Sequence, residues 1–267
     1  MKAGLSTASL FLRRDNAQAL QIFNNFGVST AEVFLSTFSE YDKAYVSKLR
    51  RGKVEMNSIH VLNTQYEPQL FAAHPKVKTD AYFWLEKSLE CAKTLGAKYY
   101  TFHGTARHKA ASRNPANDNF AKMRKGFLEI AECCQNYGVT LCLENVEWST
   151  YNRPGVFEQI APAVPQMKGV LDIKQARIST YDYRKYLQEM GSRLAYVHIS
   201  DINEQGKMCL PGKGVFDFDE LICRLQDVGF NGALIIEAYE GDYGEETELK
   251  ASYDYINELL YKRCVLD

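Results

Sequence analysis

Short apolar segments alternate along the chain with longer segments in which apolar residues recur at helical spacing. Six of the short segments have the composition of buried β-strands, and each ends in a histidine, an aspartate or a glutamate. These six residues are His60, His103, Glu144, Asp172, His198 and Glu237. An unpaired charge in an apolar interior is costly, so ionisable groups rarely end buried strands by chance. The repeated position predicts that the six side chains share a site.

Helical periodicity follows most of these strands. We predict helices over 16–26, 41–51, 79–96, 117–137, 182–190, 218–228 and 245–261, and two further strands over 3–6 and 31–35. The alternation is typical of parallel strands joined by helical crossovers, and eight strands with seven recognisable helices indicate eight strand and helix pairs. The fold class is therefore α/β, and the chain length fits a single (β/α)8 TIM barrel, which takes about 250 residues. We expect one domain over residues 1–267.

A parallel barrel brings the carboxyl ends of its strands to one rim, so the six side chains would converge there. Carboxylate oxygens and imidazole nitrogens at such a rim can bind a divalent metal. The longest irregular segments, 63–78, 104–117 and 201–216, follow three of the marked strands. We expect them to form loops over the same face, where barrels build their substrate pockets.

Composition narrows the function further. A net charge of −1 and a pI near 6.5 provide no broad basic field, so a small substrate is favoured over nucleic acid. Seven cysteines without paired spacing indicate free thiols in a reducing compartment rather than a disulfide framework or a zinc knuckle. The first residues lack a signal-peptide pattern, and no run of about 18 apolar residues occurs. We expect a cytoplasmic protein that does not associate with membranes.

Five short motifs occur in order along the chain: Leu143-Glu144-Asn145, Leu171-Asp172, Val197-His198-Ile199-Ser200-Asp201, Pro211-Gly212-Lys213-Gly214 and Ile236-Glu237. Together they resemble the xylose-isomerase-like barrel superfamily, in particular its sugar phosphate isomerase/epimerase branch, which is related to the type IV apurinic endonucleases. The resemblance covers essentially the whole chain. It implies a (β/α)8 barrel with one divalent metal ion, usually manganese, magnesium, cobalt or zinc, and a homo-oligomer. The metal ligands would be Glu144, Asp172, His198 and Glu237.

Three carboxylates and one imidazole suit Mn²⁺ or Mg²⁺, and the imidazole also admits Co²⁺ and Zn²⁺. A metal-bound ketose has a polarised carbonyl, so the neighbouring carbon becomes acidic and an enediolate is stabilised. We expect Glu144 and Glu237 to be the acid–base pair, one removing a proton and the other returning it. These expectations describe an isomerase or epimerase of a small sugar, sugar phosphate or polyol.

Further candidates would contact the substrate, although each also has a structural reading. The resemblance places His60 and His103 in the pocket and Lys213 in a loop that closes over it. Trp148 is a candidate for stacking on a sugar, as is Tyr239. Arg107-His108-Lys109, with Arg113, is either an anion clamp or a solvated loop.

Two departures from the family pattern bear on the activity. Gln175 occupies a position where many relatives carry a substrate-binding or metal-binding histidine, and Glu204 one where several ketose epimerases carry an arginine. Gln175 remains a candidate for substrate binding. The loop after His198 also lacks the Asp-x-His pair of the endonucleases, so a three-metal centre is short of ligands. The alternatives left open are an inosose-type dehydratase, a type IV endonuclease-like phosphodiesterase on abasic DNA, and a non-catalytic ligand-binding barrel.

Overall fold

A computed structural model describes residues 1–105 and 119–266, with side chains described to residue 263. Eight parallel strands form a closed barrel: β1 (Lys2–Ser6), β2 (Thr30–Leu35), β3 (Glu55–Val61), β4 (Tyr99–Phe102), β5 (Thr140–Glu144), β6 (Lys168–Asp172), β7 (Leu194–Ile199) and β10 (Ala233–Ile236). Their order around the ring is β1-β10-β7-β6-β5-β4-β3-β2. The (β/α)8 prediction is confirmed.

The helices lie outside the barrel. They are α1 (Asn16–Phe26), α2 (Lys43–Leu49), α3 (Pro75–Leu95), α4 (Phe120–Asn136), α5 (Val156–Ile160), α6 (Ile173–Ile178), α7 (Tyr183–Met190), α8 (Phe218–Asp227) and α9 (Glu246–Leu266). The sequence pattern predicted α1 with the observed bounds, whereas α3 begins four residues before its predicted start and α9 extends beyond its predicted end. Neither α5 nor α6 was predicted, because helices of five and six residues are too short to show a helical period.

Burial of both faces explains the strand composition. All six residues of β7 and all four of β10 are buried, as expected for parallel strands that are covered by helices outside and by side chains inside. On α8 the buried residues Phe218, Leu221, Ile222 and Leu225 form the stripe that packs inward. In the described parts of the chain, no helix is both long and apolar enough to cross a membrane. The six described cysteines are free thiols.

The segment 201–216, predicted to be irregular, contains a small antiparallel hairpin of β8 (Asp201–Ile202) and β9 (Met208–Cys209). The buried Asp201 carboxylate organises the rest of this segment. It accepts hydrogen bonds of 2.7–3.0 Å from the backbone N–H groups of Ile202, Gly212, Gly214 and Phe216. A Cβ at Gly214 would lie 2.2 Å from the carbonyl oxygen of Ile202, so glycine is required for this close approach.

Candidate active site

The six marked residues lie together at the carboxyl end of the barrel. Glu144 and Asp172 end their strands, His60 and His198 lie one residue before the strand end, and His103 and Glu237 follow directly after β4 and β10. All six are buried. The prediction that the strand ends bring these groups together matches the geometry, within one residue of each strand end.

Four of these side chains form a compact group. Glu144, Asp172, His198 and Glu237 each offer one ligand atom, and these atoms all lie within 4.8 Å of one another. Ligand atoms lie roughly 2.0–2.2 Å from a small divalent ion, so atoms on opposite sides of the ion are separated by about 4 Å. The observed upper bound of 4.8 Å is within about 1 Å of that spacing, so the four atoms are close enough to share one ion.

Asp172 is held in place by hydrogen bonds to nearby residues. Its Oδ1 accepts a 2.8 Å bond from the Gln175 N–H and so caps α6. The Asn145 side chain holds the Asp172 backbone on both sides, accepting from its N–H at 2.7 Å and donating to its carbonyl at 2.9 Å. Asn145, which belongs to the sequence motif Leu143-Glu144-Asn145, therefore aligns β5 with β6. The second carboxylate oxygen of Asp172 is left for the group that it forms with Glu144, His198 and Glu237.

The two ring nitrogens of His198 have different partners. Nδ1 lies 2.7 Å from Glu144 Oε1, on the side of the four-residue group. Nε2 lies 3.1 Å from Oε1 of Glu32, deeper in the barrel. A carboxylate behind a histidine ligand usually fixes which nitrogen faces the metal.

Glu32 was missed in the sequence because it lies in the middle of β2 rather than at its end. Its side chain is fully buried. Besides the two histidines it contacts, it accepts hydrogen bonds of 2.8–3.1 Å from four hydroxyl groups, those of Ser6, Ser58, Thr101 and Tyr196. A single glutamate within the apolar strand segment Thr30–Leu35 was the available signal. Burial opposes its ionisation, but His198 and His60 hold the pKa of Glu32 well below its usual value.

A series of contacting side chains links Glu144 and Glu237, the two predicted acid–base glutamates. Glu237 Oε1 lies 3.5 Å from His60 Nδ1. The Nε2 atoms of His60 and His103 are 3.0 Å apart, and His103 Nε2 is 3.3 Å from Glu144 Oε2. Each glutamate therefore has its own histidine, and the two histidines contact each other.

His103 is oriented by a second carboxylate that was not singled out in the sequence. Its Nδ1 lies 2.9 Å from Oε2 of the fully buried Glu67, which also accepts a 2.9 Å hydrogen bond from Tyr100. The Trp148 ring stacks at a tilt against His103, with centroids 5.1 Å apart. Glu67 lies in the segment predicted to be an irregular loop, where no pattern distinguished it.

Lys174 is a buried cation beside the site. Its Nζ lies 3.3 Å from Glu237 Oε2 and 4.0 Å from the centroid of the Tyr239 ring, and the residue is 4 % exposed. Burial disfavours the ammonium form, but attraction to Glu237, Tyr239 and Asp172 raises the pKa of Lys174 above its usual value. The lysine therefore holds one oxygen of Glu237.

The charges of the cluster fit a divalent cation. Glu32, Glu144, Asp172 and Glu237 are four buried carboxylates, and Lys174 is one buried ammonium. Burial raises the pKa of Asp172 to about 7; Lys174 opposes this shift, and Glu144 adds to it. With the histidines neutral, as metal ligands must be, Lys174 alone does not balance these carboxylates, and a buried excess of negative charge is unfavourable unless a cation compensates it. The oxygen-rich donor set is also the one that such ions prefer.

A cavity of about 120 Å³ lies over these groups. Its lining combines the carboxylates of Glu144, Asp172 and Glu237 with the apolar side chains of Phe34, Leu62, Val146 and Trp148. A ligand that carries both oxygen atoms and C–H groups matches this mixed lining.

Four of the five predicted substrate-contact residues line the cavity, namely His60, His103, Gln175 and Trp148. Tyr239 lines it as well. Gln175 accepts a 3.3 Å hydrogen bond from the Glu147 N–H. Lys213 is exposed and is not brought to the cavity, because its loop is held by Asp201.

Glu204, the other departure from the family pattern, does not line the cavity. Glu204 is exposed. The Arg107-His108-Lys109 segment and Arg113, predicted to be an anion clamp or a solvated loop, lie outside the described residues.

Comparison with known proteins agrees with this architecture. An uncharacterized protein of Methanocaldococcus jannaschii is 24% identical over 250 residues, covering 89% of this chain and 88% of that protein. A D-psicose 3-epimerase from Clostridium cellulolyticum H10, solved with D-tagatose, superposes with a TM-score of 0.78 at 16% identity over 98% of this chain and 99% of that chain. The IolI protein, solved with a zinc atom, superposes with a TM-score of 0.74 at 16% identity over 98% and 97%. The sequence model of the family described as xylose isomerase-like TIM barrel matches residues 20–259. This chain therefore belongs to the xylose isomerase-like TIM-barrel family.

Proposed function

We propose that the protein is a divalent-metal-dependent isomerase or epimerase of a small sugar or polyol. The observation that carries the proposal is the pair Glu144 and Glu237. These two buried carboxylates project from β5 and from the end of β10 into one cavity, and both belong to the compact group that also contains Asp172 and His198. Fold similarity to a sugar epimerase is consistent with this assignment.

Glu144, Asp172, His198 and Glu237 would hold the metal ion. When bound, a divalent cation polarises the substrate carbonyl and stabilises the enediolate that deprotonation forms. Three carboxylates favour Mn²⁺ or Mg²⁺, while the imidazole keeps Zn²⁺ and Co²⁺ compatible with the site. The similarly folded IolI protein was solved with zinc.

Each of the two glutamates is held in place by two partners. Glu144 is held by His198 and His103, and Glu237 by His60 and Lys174. One carboxylate removes a proton from the carbon beside the carbonyl, and the other returns a proton to the same carbon or to its neighbour. The contact between His60 and His103 offers a route for the proton to pass between the two glutamates after turnover.

A phosphodiesterase acting on abasic DNA is the second candidate. His60, His103 and Glu144 also offer ligand atoms within 4.8 Å of one another, as a second metal ion would require. Two features weigh against it: Gln175 occupies the position of a further ligand histidine, and the net charge of −1 gives no basic field for a DNA backbone. Cleavage of an abasic-site duplex by the metal-loaded protein would favour this candidate.

Hydrogen–deuterium exchange at carbon tests the proposal without a guess about the product. The protein, loaded with Mn²⁺, Mg²⁺, Co²⁺ or Zn²⁺, is incubated in D₂O with a panel of ketoses and inososes, and exchange is followed by NMR or mass spectrometry. We expect exchange at the carbon beside the carbonyl of at least one compound, lost after treatment with a chelator. Absence of exchange across the panel with every metal would refute the proposal.

A further inference from the structure

A second cavity, which we call the outer cavity, adjoins the cavity over the candidate active site. It measures about 370 Å³ and lies between the loops that follow β1 and β2, at the carboxyl end of the barrel. Phe34, one residue before the end of β2, lines both cavities. Because Phe34 is two positions from the inward-pointing Glu32, its side chain lies on the same face of the strand. The two cavities therefore share a wall at the barrel mouth.

The volumes of the two cavities indicate a substrate that extends beyond the candidate active site. Ligand pockets of proteins usually measure about 300–1,000 Å³. The cavity over the candidate active site measures about 120 Å³, which is below this range, whereas the outer cavity lies within it. A ligand that reached from the predicted metal ligands past Phe34 would occupy both.

Aromatic rings line the way from one cavity to the other. The ring centroid of Phe34 lies 5.2 Å from that of His60 in the candidate active site and 5.5 Å from that of Phe11 in the outer cavity. Phe11 is 44 % exposed, and the adjacent Leu12 is 69 % exposed. Exposed apolar side chains that are grouped at a cavity mark binding sites. An aromatic ring in this position offers a flat surface to the C–H face of a sugar.

Buried polar contacts hold the wall between the two cavities in place. Asn16 is 6 % exposed, and its Nδ2 donates hydrogen bonds to the carbonyl of Phe34 at 2.9 Å and to Glu40 Oε1 at 2.7 Å. The Phe34 N–H donates to the Thr7 hydroxyl at 2.8 Å. Glu40 Oε2 accepts a 2.6 Å bond from the N–H of Ser36. Phe34 and the polar side of the outer cavity are therefore positioned before a ligand binds.

The charged groups of the outer cavity favour a neutral ligand. Arg13 and Arg14 are balanced by Asp15 and Glu40, so the charges that the described residues contribute to the lining cancel. The Arg13 guanidinium already donates to three backbone carbonyls of the segment 240–244, and Arg14 pairs with a glutamate of α9 at 2.9 Å. The lining also includes serine, threonine and glutamine side chains, which can hydrogen-bond hydroxyl groups.

We propose that the outer cavity binds a second sugar unit, and that the substrate is a ketose that carries a glycosyl group. This inference rests on the proposed function and extends its substrate. The ketose unit lies at the four predicted metal ligands. The glycosyl unit lies beyond Phe34, packs its C–H face against Phe11, and directs its hydroxyl groups to the polar side of the outer cavity.

Calorimetric binding and hydrogen–deuterium exchange at carbon test the inference on the full chain loaded with Mn²⁺. The probes are D-fructose and the disaccharides turanose, maltulose, leucrose and isomaltulose, in which a glucosyl unit is joined to four different hydroxyl groups of D-fructose. Phe11→Ala removes the ring from the outer cavity, and Phe11→Tyr keeps it. Phe83→Ala is the matched control, because Phe83 is a similarly exposed ring on α3 that lines neither cavity.

We expect at least one disaccharide to bind about 10-fold more tightly than D-fructose. Phe11→Ala should weaken that disaccharide by about 2- to 10-fold more than it weakens D-fructose, as the loss of one aromatic contact does. Phe11→Tyr and Phe83→Ala should keep the wild-type preference. If D-fructose binds as tightly as every disaccharide, or if Phe11→Ala weakens both kinds of ligand equally, the inference is wrong.

The inference and the proposed function fail separately. A disaccharide preference that depends on Phe11, without exchange at carbon in any sugar, would refute the proposed function and support the second sugar site. Exchange in D-fructose without a preference for any disaccharide would support the proposed function and overturn the second sugar site. Failure of all four disaccharides to bind would overturn it as well, whatever the exchange result.

Discussion

Replacing Glu32 by glutamine should weaken metal binding, although Glu32 is not itself in the predicted quartet of ligands. Glu32 lies 3.1 Å from His198 Nε2, while His198 Nδ1 faces the quartet. The carboxylate therefore fixes the ring so that one nitrogen is protonated toward the barrel interior and the other is free to bind metal. Glu32→Gln keeps the volume but replaces an acceptor oxygen with an NH₂ group.

The magnitude follows from the donors around Glu32. Its Oε2 accepts from the hydroxyls of Ser58, Thr101 and Tyr196, and its Oε1 faces Ser6 and His60. Either orientation of the glutamine amide turns an NH₂ group toward donors. Loss of such an outer partner typically lowers metal affinity about 10- to 100-fold, which corresponds to about 1.4–2.8 kcal/mol.

Calorimetric titration of the metal-free protein with Mn²⁺ and Zn²⁺ measures this effect. Glu55→Gln is the matched control, because Glu55 at the start of β3 is exposed and pairs only with Lys2 and Lys98 at the surface among its described contacts. Surface ion pairs contribute about 0–1 kcal/mol to stability, and the loss of these pairs in Glu55→Gln should leave metal affinity unchanged. If folded Glu32→Gln binds both ions with wild-type affinity, Glu32 does not orient His198 and the reasoning is wrong.

Three further predictions concern the site. Glu237→Gln should lower hydrogen–deuterium exchange at carbon and turnover by about 10²–10⁴-fold, while circular dichroism and the thermal transition show an intact fold. Retained activity would exclude Glu237 as an acid–base group. Lys174→Met removes the ammonium partner of the buried Glu237 carboxylate, so it should destabilise the metal-free protein by about 3–5 kcal/mol in urea unfolding and clearly less with Mn²⁺ bound. An equal loss in both states would contradict this charge balance. A metal ion at about 100 times its Kd should stabilise the wild-type protein by about 2.7 kcal/mol relative to the chelator-treated protein. An unchanged midpoint of urea unfolding would count against binding of the ion to the folded protein.

Much of the barrel could be predicted because its strands are buried on both faces and its longer helices are amphipathic. Those patterns are local and read directly from the sequence, as for α1 (Asn16–Phe26). The ionisable residues at the strand ends could be predicted to converge because parallel strands share a direction. Their roles as metal ligands and catalytic groups stay predictions.

The supporting residues could not be predicted, because their roles depend on contacts between distant parts of the chain. Glu32 and Tyr196 meet across 164 positions, and Lys174 and Glu237 across 63. Glu67 becomes recognisable only when the loop after β3 places it against His103. Lys213 illustrates the opposite difficulty: a motif position suggested contact with the substrate, whereas its loop leaves the side chain exposed.

Anomalous diffraction from crystals of the Mn²⁺-loaded protein tests the central claim most directly. We predict one strong anomalous peak at the carboxyl end of the barrel, about 2.0–2.3 Å from one atom each of Glu144, Asp172, His198 and Glu237. A protein that binds no ion there, or an ion held elsewhere without these four side chains, would contradict the account.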